Sequence, residues 1–195
     1  MGIKPGYTGA SEFTPCPAGQ YSAVLVDVID EGEKQATYAG KTKTVHKVRL
    51  VWQVDAAMES GERFSVHAWF NNSLGIYKGK RSNLLSILEQ WRGVEYTEME
   101  LNQMQADGWE LDSLIGKPCF LSVIHKTENG KTYANVGSIM KLPRQIPALA
   151  PTNYTRKASQ VAASNGHSQP QQSSGHDPMD SEFDHAPVGD DDIPF

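Results

Sequence analysis

The run KTKTVHKVRLVWQV at residues 41–54 admits few folds, because two kinds of residue alternate along it with a period of two. His46, Val48, Leu50, Trp52 and Val54 share one parity, and Lys43, Val45, Lys47, Arg49, Val51 and Gln53 share the other. Successive side chains of a strand point to opposite faces, so this segment turns one face to a core and carries a basic stripe on the other. ERFSVHAWFNN, at residues 62–72, repeats the design with Phe64, Val66, Ala68 and Phe70 inward and Arg63, Ser65, His67, Trp69 and Asn71 outward. A tryptophan is thereby left on a polar face.

An earlier strand is expected in QYSAVLVDVID, residues 20–30, where β-branched residues occupy both parities and both faces should be largely buried. The polar stretch EGEKQATYAGKT that follows reads as a mobile loop. After the third strand, the glycine-bearing loop NNSLGIYKGKRS leads into SNLLSILEQWRG. There Leu84, Leu85, Leu88 and Trp91 recur at helical spacing, Ser82 or Asn83 can cap the start, and Gly93 ends the helix. A second short helix fits TEMELNQMQADG, with Thr97 and Glu100 spaced as a capping box and Gly108 as its stop. Two more strands, KPCFLSVIHK and KTYANVGSIMKL, flank Asn129-Gly130, a hairpin signal. The chain is therefore expected to be mainly β. Five strands with a helix between the third and fourth is the order of an OB-fold, a five-stranded Greek-key barrel that binds oligonucleotides or oligosaccharides on its second and third strands and adjoining loops.

Charge divides the chain. Residues 1–145 hold 16 basic and 16 acidic side chains, whereas residues 146–195 hold Arg156 and Lys157 against seven acids, so the net charge of −5 belongs to the last fifty residues. That part contains SNGHSQPQQSSGHDP and no tryptophan, and it has too little apolar surface to offset the entropy of ordering it. The expected organisation is an N-terminal arm at 1–17, a folded domain at 18–145, a disordered acidic linker at 146–189 and a distinct tip at 190–195. MGIKPGYTGASEF lacks the apolar core of a secretory signal, and no stretch reaches the ~20 apolar residues of a membrane helix, so a cytoplasmic protein is expected. Cys16 and Cys119 form no CxxC pair and read as a loop thiol and a small buried hydrophobe.

Single strands of nucleic acid are held by cations that follow the phosphates and by flat side chains on which bases stack. The outward faces of the second and third strands offer both: Lys43, Lys47, Arg49 and Arg63 for phosphates, and Trp69 for stacking, with Tyr38, Tyr77 and Tyr133 as weaker aromatic candidates. The loop adds Tyr77, Lys78, Lys80 and Arg81 as an arm that closes over a strand. The plainer alternatives are a solvated sheet face, a Trp69 packed under a loop, and an Arg81 that serves only the start of the helix. Phosphate-loop spacing fails, because GKT at residues 40–42 would need glycine where Gln35 stands, and GK at 79–80 would need glycine where Leu74 stands. The six histidines form no metal-ligand spacing, no nucleophile triad or carboxylate pair stands out, and no cofactor is expected. The expectation is a binding protein rather than an enzyme.

The last six residues, DDDIPF, join Asp190, Asp191 and Asp192 to Ile193, Pro194 and Phe195. An apolar pair beside three carboxylates suits a partner with a small apolar pocket rimmed by Arg and Lys. This tip resembles the acidic C-terminal tip of bacterial single-stranded DNA-binding proteins, which docks replication, recombination and repair proteins such as exonuclease I and the chi subunit of the replicative polymerase. The body is unlike the housekeeping member. Its segment RSNLLSILEQWRG…LIGKPCFLSVIHKTENGKTYANVGSIMKLP instead resembles a group of small phage-encoded proteins with an OB-type single-strand-binding domain, over roughly residues 14–143. The resemblance implies a phage single-stranded DNA-binding protein that works in the host cytoplasm and recruits host replication, recombination and repair proteins through its tip. An adaptor or decoy that occupies host pockets without binding DNA is the alternative. These residues fix neither assembly into a homo-oligomer nor the choice between DNA and RNA.

Overall fold

Alternation of apolar and polar residues builds the molecule around one antiparallel sheet, seen in a computed structural model that describes residues 14–38 and 41–157. Its long strands are β1 (Gly19–Tyr38), β2 (Lys41–Ala57), β3 (Arg63–Asn71), β6 (Pro118–Glu128) and β7 (Lys131–Met140), and between β3 and β6 come a small ribbon, β4 (Ile76–Tyr77) with β5 (Lys80–Arg81), and the helices α1 (Asn83–Arg92) and α2 (Glu98–Ala106). The described residues are thus mainly β. The five long strands are ordered β3-β2-β1-β6-β7, all pairs antiparallel, and no backbone pairing joins the two edges. The edges nonetheless curl together, since residues of β3 and β7 lie within 8 Å of each other, Cα to Cα, and α1 packs on both.

The expected inward parities form the main core: Leu25 of β1, Val48, Leu50, Trp52 and Val54 of β2, Phe64, Val66 and Phe70 of β3, and Leu84, Leu88 and Trp91 of α1. Trp91 also donates its indole N–H to the Pro118 carbonyl at 2.8 Å, tying the helix to the start of β6. The helix ends follow their local chemistry. Ser82 caps α1, Gly93 closes it in the left-handed region at φ 80°, and Thr97 and Glu100 form the reciprocal capping box of α2. Asn129 and Gly130 both have positive φ, as the tight β6–β7 turn requires.

Three expectations are corrected. Residues 32–38, read as part of a loop, pair with 41–47 and extend the β1–β2 hairpin into an arm beyond the core. The arm is held by ladder bonds and by polar pairs such as Thr37 with Thr42 at 3.0 Å and Gln35 with Thr44 at 3.1 Å. His46, on the inward parity, therefore faces solvent on that arm, and its Nε2 lies 2.6 Å from Asp30 Oδ1. Cys16 lies on the irregular segment before β1, as expected, and is buried in the main core with Cys119.

The third correction concerns the linker. Residues 147–157 cross back over the outer face of β1 and β2 as a strap. A second apolar cluster, Val24, Val26, Ile29 and Val51, meets Leu149 and Tyr154 there, which is why β1 is buried on both faces. The remaining linker, residues 158–189, and the tip residues Asp190, Asp191, Asp192, Ile193, Pro194 and Phe195 lie outside the described residues, as do residues 1–13 of the N-terminal arm.

Candidate nucleic-acid interface

The β2–β3 ladder sets Arg49 directly opposite Trp69 and Val51 opposite His67, on the face away from the main core. Trp69 is 52% exposed, an uncommon setting for the largest side chain. The Arg49 guanidinium carbon lies 5.7 Å from the indole centroid, and the His67 ring meets the same indole edge-on at 4.5 Å with an interplanar angle of 81°. These contacts hold the indole while leaving it open to solvent. Burial, with the Arg49 charge adding to it, holds His67 below the ordinary 6.5 of an imidazole, against a smaller opposite pull from Glu31.

A register jump between Asp30 and Gly32 leaves Glu31 out of the ladder, and its Oε1 sits 2.8 Å from Arg49 Nε. The two charges are paired, though without hydrogen-bond alignment. The earlier jump, between Leu25 and Asp27, turns Asp27 to the same outer face as Val26. Asp27 is fully buried, and the strap supplies its partners: Tyr154 Oη donates to Oδ2 at 3.2 Å, Arg156 Nε to Oδ1 at 3.2 Å and the Lys157 amide to Oδ2 at 2.9 Å. Arg156 also reaches the Asp112 carboxylate. Upstream, the Gln53 side-chain amide pairs with the backbone of Thr152, donating to its carbonyl at 2.6 Å and accepting from its N–H at 2.9 Å.

The strap and the sheet together enclose an open cleft of about 320 Å³. Ile29 and Val51 line its apolar part, Arg49 and His67 contribute from the sheet, and Tyr154 and Lys157 from the strap.

The candidate residues are distributed unevenly. Arg49 and Trp69 are brought together, Lys47 stands opposite Asn71 on the same ladder, and Lys43 lies further out on the arm, opposite Ala36. Arg63 is engaged by the strap, donating to the Ala150 carbonyl at 2.6 Å. Tyr77, 74% exposed, and Lys78 and Lys80 belong to the separate β4–β5 ribbon, where the Lys78 ammonium lies 5.4 Å from the Tyr77 ring centroid. Arg81 is held at the start of α1, its Nε donating to both carboxylate oxygens of buried Glu89 at 2.8 and 2.7 Å and its Nη2 to Glu95 at 2.9 Å. That is the helix-start role its position also allowed. The expectation overlooked Lys157, Tyr154 and the pairing of Glu31 with Arg49. The available signal was Leu149 and Tyr154 among prolines, ahead of the low-complexity run.

No protein-family model matches the chain, and a search of the curated proteins finds no match. Among the described residues, no helix is long and apolar enough to cross a membrane.

Proposed function

We propose that this protein binds single-stranded DNA without sequence specificity and without catalysis, in the cytoplasm of a bacterium in which phage DNA is replicated, recombined and repaired. The segment Asp190–Phe195 recruits host proteins of those processes. The observation that carries the reading is Trp69, a half-exposed indole braced by Arg49 and His67 on the outer sheet face, next to the part that the strap covers. A base stacked on such a platform contributes ~1–3 kcal/mol whatever its identity, and neighbouring cations take the phosphates. Lys43 and Lys47 extend the basic stripe along the arm. The strand order, the edges curled together and a helix packed against both of them support an OB-type barrel as the scaffold, with Trp69 and Arg49 on its second and third strands.

Fluorescence anisotropy of labelled dT oligomers and a matched duplex, at two salt concentrations, tests the reading. Selective binding to the single strand is expected, and four phosphate contacts would give a log–log salt slope of about −3 at ~0.7 per contact. Trp69→Ala should weaken binding roughly 5- to 150-fold, the equivalent of one stacked base. Equal binding to duplex, or none to either, would overturn the proposal, and none would make the adaptor reading the better one.

A further inference from the structure

The cleft between sheet and strap has a chemistry of its own. Ile29 and Val51 give it an apolar part, the Tyr154 ring and neutral-leaning His67 ring line it, and its charge comes from Arg49 and Lys157. Its volume of about 320 Å³ is at the small end of the ~300–1,000 Å³ of sites that enclose a ligand, room for one nucleotide rather than a stack of them.

The charges on this face are not equivalent. Arg49 is paired with Glu31, Arg156 is spent on Asp27 and Asp112, and Arg63 donates to the strap backbone. Lys157 makes no ion pair among the described residues. Its backbone N–H is fixed by buried Asp27 and the residue lines the cleft, so it is anchored there by its backbone while its ammonium is uncommitted to any carboxylate among the described residues. Trp69 lies just beyond, joined to the cleft through its contacts with Arg49 and His67.

Resting on the function proposed above, we infer that the strap completes a pocket for a single unstacked nucleotide of the bound DNA strand, with Lys157 as its phosphate contact and Tyr154 and His67 beside the base. The strand then runs from the Trp69 platform into the cleft. The DNA-binding unit extends to residue 157, and the residues beyond a conventional domain boundary near 145 belong to the site.

Two measurements on the full chain test this. A dT oligomer carrying one 5-iododeoxyuridine is photocrosslinked to the wild-type protein and the adducts are mapped by mass spectrometry after trypsin. Adducts are expected on the peptide spanning 145–156, which contains Tyr154 and is bounded by Arg144 and Arg156. In parallel, Lys157→Gln should reduce the magnitude of the log–log salt slope by about 0.7, one single-strand phosphate contact. If wild type binds dT and Trp69→Ala weakens it, while Lys157→Gln leaves the slope unchanged and no adduct falls on 145–156, the pocket is overturned and the platform stands. If wild type binds no single strand, both fall together.

Discussion

His67 couples the site to pH. It is flanked by Arg49 and Trp69, Lys157 is the other charged residue lining the cleft, and Glu31 acts on it from its pair with Arg49; burial followed by the Arg49 charge depresses its pKa below 6.5. The free protein therefore holds it neutral at pH 7. Because the folded value lies below the unfolded one, the stability contributed by the neutral ring is full above 6.5 and is lost as pH falls from 6.5 through the folded value. DNA reverses the preference: the phosphate of a nucleotide seated in the cleft adds negative potential across it and favours the imidazolium, so binding takes up a proton. Affinity for dT should therefore rise between pH 7.5 and 5.5 in wild type, and His67→Gln should remove that part of the rise. Anisotropy titrations at constant salt read both, and an identical pH profile in the variant would show that the ring does not sense the strand.

At the scale of elements, the strap is held by a few polar clasps rather than by a ladder. Asp27 is the strongest of them, a fully buried carboxylate with three donors from residues 154–157. Asp27→Ala orphans those donors, and because Tyr154 and Arg156 can partly reach water the loss should be about 2 kcal/mol rather than the larger cost of a fully buried pair. Urea unfolding measures it, and amide exchange should quicken at Lys157 while Leu50, in the main core, stays protected. The elements that were legible in the sequence are those whose signal is local: the alternation of β2 and β3, the Ser82 and Thr97–Glu100 caps, and the Asn129-Gly130 turn. The arm was hidden because QATY and KTKT offer no apolar face, and its strand character comes from cross-strand pairing alone. His46 was misplaced for the same reason, its parity running on past the end of the core. The strap was hidden because its partners, Gln53 and Asp27, lie 99 to 130 residues upstream, beyond the range of any periodicity. Half of the candidate site was thus readable, the half that lies on β2 and β3.

For the whole molecule, the strap decides where the acidic part of the chain begins. Residues 1–145 are balanced in charge, and all seven acids of the last fifty residues lie beyond residue 176. The chain leaves the described body at Lys157, which lines the cleft, so those acids are tethered at the mouth of the site proposed for DNA. Tethering raises their local concentration there, and like-charged carboxylates and phosphates compete for the same cations. A chain ending at residue 176 keeps the strap and every described residue, and should bind dT several-fold more tightly than the full chain at low salt. The advantage should shrink as salt rises and the screening length falls to ~10 Å at 0.1 M. Equal affinities across the salt series would mean that the acids do not reach the cleft. In that case the segment Asp190–Phe195 would act on partners independently of whether DNA is bound.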